Sequence, residues 1–312
     1  MRILFMGTPD FALFSLRALV ESGENVIGVV TQPDKPRGRG YELTPPPVKV
    51  YALEKGIPVY QPATLKDEAF AELLRTLDPE LIAVVAFGKI LPRSVLEFPR
   101  YGCINVHGSL LPAYRGAAPM QRAIMDGCSV TGITTMVMDV GLDTGDMLLK
   151  SEVAIGEDDN FEDVHDRLGA VGAQTLLDTL ARLREGTLCP QKQDDSLATY
   201  AQKIEKSDCL LDFSLPARRL HDTVRGLSPV PLAFTHTPDG KLLKILRARL
   251  SPLPRPADAV CGQVISLEDG AVHVACGEGV LSLLRVLPEG KGRMDAADFI
   301  RGRRISVGDV LS

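Results

Sequence analysis

The stretch CINVHGSLLPAYRGAAP, residues 103–119, joins an apolar run to a loop that proline and glycine interrupt. Asn105 and His107 stand two residues apart at the end of the apolar run. Because side chains alternate along a strand, both would point to the same side of it. A buried strand seldom ends in two uncharged polar groups without partners for them. Asn105 and His107 are therefore either packed polar residues or part of a reactive site, and the rest of the sequence is needed to distinguish these two roles.

Short apolar runs alternate with helical patterns through the first half of the chain. Runs that are apolar along nearly their whole length are typical of strands covered on both faces. Their alternation with helices predicts an α/β fold built on a doubly wound, mostly parallel sheet. The predicted strands are 2–7, 25–31, 81–88, 103–108 and 133–139, and the predicted helices are 10–22, 48–56, 67–77, 118–127 and 160–185.

The pattern changes after about Leu188. Residues 189–205 are polar and are predicted to connect two domains, residues 1–188 and residues 206–312. The second domain contains one predicted helix, 215–226, and several short strand-like runs separated by Gly, Pro and Asp. This spacing predicts a small antiparallel β-barrel.

Composition limits the function classes. The net charge of −5 argues against bulk nucleic-acid binding, but residues 206–312 carry 15 Lys and Arg against 12 Asp and Glu. A mildly basic C-terminal part is compatible with a polyanionic partner on one side, and equally with a chance imbalance. The six Cys form no C-x-x-C pair, and the five His lack metal-ligand spacing, so we expect reduced thiols and no metal.

No apolar run approaches the roughly 18 residues of a membrane span. No signal-peptide pattern precedes the first strand. The sequence therefore predicts a cytoplasmic protein without membrane association, and we expect a monomer.

The segment GTPDFA, residues 7–12, follows the first predicted strand. A dinucleotide fold would place a glycine-rich phosphate turn there, but this segment has a single Gly. Thr8 as a helix cap, with Pro9 at the first helical position, is the simpler interpretation. A nicotinamide dehydrogenase that uses NAD is therefore disfavoured.

Asn105 and His107 are expected at the carboxyl end of a strand, where open parallel sheets bind ligands. An Asn amide suits a developing oxyanion, and a His suits proton transfer near neutral pH. Asp143, between Gly141 and Gly145, follows another predicted strand, at what we expect to be the same sheet edge. Its carboxylate could fix the tautomer of His107 and favour its protonated form. The alternatives are a structural His and an ordinary Asp-Gly turn.

The segment QPDKPRGRGYELTPPPVK, residues 32–49, is a long loop after the second predicted strand. Loops of this length inside compact domains are usually functional or disordered. Arg37 and Arg39 stand next to glycines, which suits a basic loop that meets phosphates. A solvated loop without function is the alternative.

These residues resemble the formyltetrahydrofolate-dependent transferases. NVHGSLLPAYRGAAP and VGLDTGDML are similar to the two halves of that family's signature. GTPDFA, the GRG…TPPPVK loop and the F-x-x-G at 299–302 resemble the branch that acts on methionyl-tRNA. The family often has Arg-Trp where this chain has Ala113 and Tyr114, and Pro or Ala where it has Gly108.

The resemblance implies a Rossmann-like catalytic domain, 1–188, with a basic inserted loop at 34–49. A linker, 189–205, and an OB-like domain that contacts tRNA, 206–312, would follow. It implies transfer of the formyl group of 10-formyltetrahydrofolate, as co-substrate, to the α-amino group of initiator methionyl-tRNA, without metal or NAD. The implied catalytic residues are Asn105, His107 and Asp143; the implied folate-binding residues are Ser109, Leu110, Leu111, Pro112, Phe87, Gly88 and Ile90; and the implied tRNA-binding residues are Lys35, Arg37, Arg39 and Lys206.

Three rival functions stay open on the sequence. A formyltransferase for an amino sugar-nucleotide would share Asn105, His107 and Asp143, but the basic loop and the C-terminal domain favour tRNA. A formyltetrahydrofolate hydrolase would need no basic loop. An RNA-binding module with an inactive sheet domain would not need the three polar side chains.

Overall fold

The computed structural model describes residues 1–37 and 42–312. The described chain forms two units, each assembled from separate segments. The first unit comprises Met1–Gly116, Thr131–Ala154 and His165–Tyr200, and the second comprises Ala117–Val130, Ile155–Val164 and Ala201–Ser312. The predicted domain boundaries at residues 188 and 205 stay a prediction.

A seven-stranded sheet with the order β10-β9-β7-β6-β1-β2-β5 organises the first unit. Strands β1, β2, β5, β6 and β7 pair in parallel, and β9 pairs antiparallel with β7. The first ten strands are β1 (Ile3–Gly7), β2 (Val26–Val30), β3 (Lys35–Arg37), β4 (Glu42–Thr44), β5 (Val59–Tyr60), β6 (Leu81–Val85), β7 (Cys103–His107), β8 (Arg115–Gly116), β9 (Val130–Val137) and β10 (Met147–Ala154).

Helices connect these strands. α1 begins at Asp10, and its N-cap residue Pro9 makes no side-chain cap. The prediction that Thr8 caps this helix is wrong, because the Thr8 hydroxyl donates to the carbonyl of Phe87 at 3.2 Å. The helices in chain order are α1 (Asp10–Glu21), α2 (Pro47–Glu54), α3 (Glu68–Leu77), α4 (Arg93–Leu96), α5 (Pro119–Met125), α6 (Phe161–Glu185), α7 (Ala217–Leu227) and α8 (Ala296–Arg301).

The first unit buries apolar side chains on both faces of its sheet. On one face Ile82, Val84 and Cys103 form a cluster with side chains of α3 and α4. On the other face α6 lies against Val106, since a Cβ on Gly172 would stand 3.2 Å from it. Parallel strands need this double cover, which explains why their sequences are apolar throughout.

The second unit contains a mainly antiparallel sheet with the order β12-β13-β16-β15-β14, and β17 pairs with β16. α7 packs on β13 and on α5. Its strands are β12 (Ala233–His236), β13 (Leu242–Leu250), β14 (Val264–Ser266), β15 (Val272–Ala275), β16 (Val280–Pro288) and β17 (Met294–Asp295), and the short strand β11 (Tyr200–Ala201) precedes them.

The predicted fold class is confirmed: a doubly wound, mostly parallel sheet with helices is followed by a smaller antiparallel domain. The structure differs in the direction of β9, where Val137 lies opposite Ile104 and Thr134 lies opposite His107. The prediction that Asp143 leaves the sheet at the same edge as His107 is therefore wrong. Between β7 and β9 the chain passes through the second unit, because α5, the helix between these strands, packs on α7 there. The antiparallel direction of β9 is compatible with this connection.

No helix in the described part of the chain combines the length and the apolar character that a membrane crossing requires.

Candidate active site

Strand β7 places two polar side chains next to an apolar core. Asn105 lies beside Val84 of β6 on the face that also carries Cys103. Asn105 and His107 are 9% and 5% exposed. Burial raises the pKa of the Cys103 thiol to about 12, which indicates how dry this face is at the start of the strand. This face of β7 therefore belongs to the core at Cys103 and to the candidate site at His107.

The carbonyl of Tyr114 sets the tautomer of His107. Nε2 of the imidazole lies 2.9 Å from this oxygen. A carbonyl oxygen only accepts hydrogen bonds, so Nε2 carries the proton and Nδ1 is left for other chemistry. Nδ1 lies 3.7 Å from Oδ2 of Asp143, within ion-pair range but beyond a direct hydrogen bond. The carboxylate therefore acts on His107 by charge, while the tautomer is fixed from the opposite side of the ring.

Asp143 reaches His107 from a loop that turns back from the far end of β9. Oδ2 of its carboxylate accepts the backbone N–H of Gly116 at 2.8 Å. Its φ is 54°, in the left-handed region that few residues other than glycine, asparagine and aspartate adopt. A Cβ on Gly145 would stand 1.7 Å from the carbonyl oxygen of Val137, so the close return of the loop requires glycine there.

Asp139 supplies the turn that the sequence left as the alternative for this segment. Its Oδ1 accepts the backbone N–H of Gly141 at 3.0 Å and the hydroxyl of Thr144 at 2.7 Å. Asp139 therefore stabilises the turn, whereas the Asp143 carboxylate faces the His107 imidazole.

The predicted folate-binding run 109–112 is partly buried in the protein's own core. The Ser109 hydroxyl donates to the carbonyl of Ala113 at 2.6 Å, and the Ser109 and Leu111 side chains are inaccessible to solvent. Thr134 holds this run from the neighbouring strand, because its hydroxyl accepts Leu111 N–H at 3.0 Å and donates to the Ser109 carbonyl at 2.7 Å. Leu110 and Pro112 are half-buried and offer the side-chain surface of the run.

The second predicted folate-binding group follows β6. Phe87 is buried in the core, and its carbonyl accepts the Gln32 side-chain amide at 2.9 Å. Gly88 is exposed with a φ of 75°, and Ile90 is 88% exposed. The Ile90 side chain is therefore accessible from solvent, whereas that of Phe87 is not.

Within the predicted basic loop, strands β3 and β4 pair antiparallel. Lys49 donates to both carboxylate oxygens of Asp34, at 2.8 and 2.9 Å, and joins the two ends of the loop. This contact, with a further one from Gln61, holds the pKa of Asp34 below its usual range. Lys35 is exposed, and Arg37 ends β3. Arg39 lies outside the described residues.

Lys206, the remaining predicted tRNA-binding residue, belongs to the second unit. It is exposed and begins the short 3₁₀ turn Lys206–Cys209.

Two part-buried contacts at the site were not predicted from the sequence. The side-chain amide of Gln193 donates to the carbonyl oxygens of Asp143 and Gly145, at 2.7 and 2.8 Å. Nε of Arg115 donates to Oε1 of Gln193 at 3.0 Å. A Gln in a polar connecting segment carries no pattern that would identify it. Arg115 had a weak signal, because it is the only charged residue of the quoted stretch, three positions after the SLLP run.

Among residues 1–37 and 42–312, no group of three or more His, Cys, Asp or Glu side chains is arranged to hold a metal ion. What the site does offer is an amide, an imidazole with a free Nδ1, and a carboxylate whose charge faces that nitrogen. This set suits acyl transfer, in which an oxyanion develops and protons change place.

The chain is similar to known proteins along its whole length. Residues 1–180 match the family model described as "Formyl transferase", and residues 203–304 match "Formyl transferase, C-terminal domain". The chain is 49% identical over 311 residues to a protein of Citrifermentans bemidjiense named methionyl-tRNA formyltransferase, covering all of this chain and 96% of the relative. A protein of Caldanaerobacter subterraneus with the same name is 48% identical, with full coverage of both chains.

Among solved structures, the fold is similar to that of WlaRD, a sugar 3N-formyl transferase whose crystal structure was determined in the presence of dTDP and 5-N-formyl-THF. The TM-score is 0.66 at 16% identity, over 94% of this chain and 99% of that one. This likeness supports the fold alone. The family matches confirm the resemblance that the sequence motifs predict.

Proposed function

Because the chain belongs to the formyl transferase family, we propose that it transfers a formyl group from 10-formyltetrahydrofolate to the α-amino group of initiator methionyl-tRNA. The observation that carries the proposal is the free Nδ1 of His107, 3.7 Å from Asp143 on the strand that also presents Asn105. The identity of 49% over the whole chain to a relative named methionyl-tRNA formyltransferase supports the choice of acceptor.

The reaction is a direct acyl transfer. The neutral α-amine attacks the formyl carbon on N10 of the folate, and a carbon–nitrogen bond forms while the carbonyl oxygen becomes an oxyanion. The bond to N10 then breaks, N10 gains a proton and the former amine loses one. A free α-amino group titrates at about 7.7–8.0, and the ester of charged tRNA lowers this, so much of the nucleophile is neutral at pH 7. The demanding tasks are the oxyanion and the proton on the leaving nitrogen.

We assign the oxyanion to the Asn105 amide and to His107 when it is protonated. Proton transfer goes through Nδ1 of His107, because Nε2 already donates to the Tyr114 carbonyl. The Asp143 carboxylate stabilises the positive imidazolium that forms during transfer. Its hydrogen bond from Gly116 keeps the charged form aimed at the ring.

The folate is proposed to bind beside these residues. Leu110, Pro112, Gly88 and Ile90 offer accessible surface for it, whereas Ser109, Leu111 and Phe87 support the pocket from the core. The exposed apolar side chain of Ile90 suits contact with a flat ring.

The acceptor is proposed to be held by basic residues outside the reacting centre. Lys35, Arg37 and Arg39 belong to the inserted loop at 34–49, and Lys206 begins the proposed tRNA-contacting domain, 206–312. Such groups bind phosphates without touching the reacting carbon. We also propose the catalytic domain 1–188, the linker 189–205, and a monomer that acts in the cytoplasm, where charged tRNA is used.

The decisive experiment incubates the full chain with 10-formyltetrahydrofolate and charged initiator tRNA. We expect formylated methionine on the tRNA, detected by mass spectrometry after mild alkaline release. An amino sugar-nucleotide is assayed in parallel. Formylation of the sugar alone would overturn the assignment of the acceptor, and formate release without transfer would indicate a hydrolase.

A further inference from the structure

Gln193 lies in the segment that the sequence assigns to a linker, yet its side chain contacts the loop that carries Asp143. Its amide donates to the backbone carbonyl oxygens of Asp143 and Gly145, at 2.7 and 2.8 Å. These carbonyls stand on the two sides of Thr144. Two bonds to one short stretch of backbone fix the peptide planes there, and with them the direction in which Asp143 leaves the chain.

Arg115 sets the orientation of that amide. Its Nε donates to Oε1 of Gln193 at 3.0 Å, and its Nη2 donates to Asp195 at 2.8 Å. The Arg115 side chain is 2% exposed. A buried guanidinium requires acceptors, so Oε1 faces Arg115 and the two N–H donors of Gln193 must face the loop.

The same segment is attached on both sides of Gln193. The backbone of Gln191 exchanges two hydrogen bonds of 2.8 Å with Met147, the first residue of β10. The Thr199 hydroxyl accepts the backbone N–H of Tyr114 at 2.8 Å. Tyr114 is the residue whose carbonyl fixes the tautomer of His107. The segment 191–199 therefore holds the backbone next to both members of the His107–Asp143 pair.

We propose that Gln193 is a positioning residue that holds the Asp143 carboxylate near His107 during formyl transfer. The proposal rests on the proposed function, which gives Asp143 its task. The Asp143 backbone has a φ of 54°, a left-handed conformation that aspartate tolerates better than most L-residues but that contacts with the surroundings still have to stabilise. Without the two donors of Gln193, the loop can relax and move the carboxylate from the imidazole.

The test is Gln193→Glu, a nearly isosteric change that keeps the acceptor for Arg115 and removes both N–H donors. We expect kcat to fall about 10- to 100-fold, since displacement of about 1 Å at a reacting site has effects of that size. The KM values of both substrates should stay close to those of the wild type, and the protein should stay folded with a lowered Tm, because two carbonyl oxygens lose their donors. Gln191→Glu is the matched control, because it adds the same charge at an exposed amide two residues away and should keep the wild-type kcat.

A double-mutant cycle with Asp143→Asn separates positioning from a general structural role. If Gln193 acts through Asp143, Gln193→Glu costs no further activity in the Asp143→Asn background. Additive losses, or an unchanged kcat in Gln193→Glu, would overturn the proposal. If Gln193→Glu does not fold, Gln193→Met, with Gln191→Met as its control, tests the same loss of donors.

A readout without turnover separates this proposal from the proposed function. The ¹⁵N resonances of the His107 imidazole should shift in Gln193→Met, which removes the donors without adding charge, and stay in place in Gln191→Met. Unchanged resonances in both would overturn the positioning role. Absence of formyl transfer in the wild type, or full kcat in Asp143→Asn, would instead overturn the proposed function or the role of Asp143.

Discussion

Two buried histidines, one in each unit, face carboxylates at the same distance, and only one belongs to the candidate site. Nδ1 of His107 lies 3.7 Å from Asp143, and Nδ1 of His221 lies 3.7 Å from Asp222. The two histidines are 5% and 3% exposed. Distance and burial therefore do not separate a reactive pair from a structural one.

The difference lies in what else each carboxylate contacts. Asp222 accepts Nε of Arg225 at 2.7 Å, and the same guanidinium donates to the carbonyls of Gly156 and Asp159. The Arg225 guanidinium therefore compensates the charge of Asp222 even when the His221 imidazole is neutral. Asp143 accepts a neutral backbone N–H, and within the described residues no Lys or Arg forms an ion pair with it. A carboxylate with uncompensated charge is free to stabilise a proton that arrives on the imidazole.

The largest expected effect concerns the structural pair. Asp222→Ala leaves the buried Arg225 guanidinium without its carboxylate, which typically costs about 3–5 kcal/mol in the free energy of unfolding. The exposed Asp158, 3.6 Å from His221, provides the control, and its change to Ala should cost under about 1 kcal/mol. Denaturant titration measures both. Equal losses would show that Arg225 does not compensate Asp222.

The corresponding change in the candidate site should act on turnover and leave stability nearly unchanged. Asp143→Asn removes the charge that faces His107 and keeps a residue that tolerates a positive φ. We expect kcat to fall about 10²- to 10³-fold, by comparison with the loss of a single electrostatic contact in other active sites. Single-turnover formylation measures this, and a folded variant with wild-type kcat would remove Asp143 from the mechanism.

Asn105→Ala tests the remaining member of the site. Loss of one oxyanion donor typically lowers turnover about 10²- to 10³-fold. Because Asn105 acts on the oxygen and Asp143 acts through His107, the pH dependence of kcat should keep its shape in Asn105→Ala. A variant that keeps its turnover would place Asn105 in a packing role.

Acid should weaken the structural pair of His221 and Asp222. Burial alone would raise the pKa of Asp222, but the contacts with His221 and Arg225 outweigh it and hold the pKa below its usual range. A lowered folded-state pKa gives stability that is present above about pH 4 and is lost as the pH falls through the folded value. The stability gap between the wild type and Asp222→Asn should therefore be constant from pH 5 to 7 and narrow below about pH 4. Urea titrations across this range test it, and a constant gap down to pH 2 would contradict it.

The smallest expected effect is on Arg39, which lies outside both pairs. Arg39→Ala should weaken binding of charged tRNA and reduce the slope of log Kd against log salt by about one, as for the loss of one phosphate contact. Folate affinity should not change. An equal loss of folate affinity would show that the loop does not serve the tRNA.

The sequence predicts much of this fold because the central strands are apolar along their whole length. The β6 run LIAVV is fully buried, as its composition predicts. Strand β10, MLLKSEVA, was missed because three consecutive polar residues, 150–152, interrupt it, so it shows neither a continuous apolar run nor regular alternation. The direction of β9 was missed because an apolar run is equally compatible with parallel and antiparallel pairing.

The residue types of the candidate site could be predicted from the sequence, whereas the contacts between them are seen only in the structure. Asn105 and His107 were identified from their spacing on a strand, and that spacing is a property of the backbone. Gln193 lies 50 residues from Asp143 along the chain, and no local pattern predicts a contact of that separation. His221 and Asp222 show that a local pattern can also mislead, because a His and an Asp that are adjacent in sequence need not form a reactive site.

The left-handed backbone of Asp143 limits how this position can vary. Most L-residues pay about 1–2 kcal/mol for that conformation, whereas glycine, asparagine and the native aspartate adopt it with less strain. A saturation library at codon 143 would therefore mix two penalties, one chemical and one conformational, in nearly every member. Only the asparagine and glycine variants lose the carboxylate without added backbone strain. Any other substitution at position 143 first needs a loop backbone in which the residue has a negative φ.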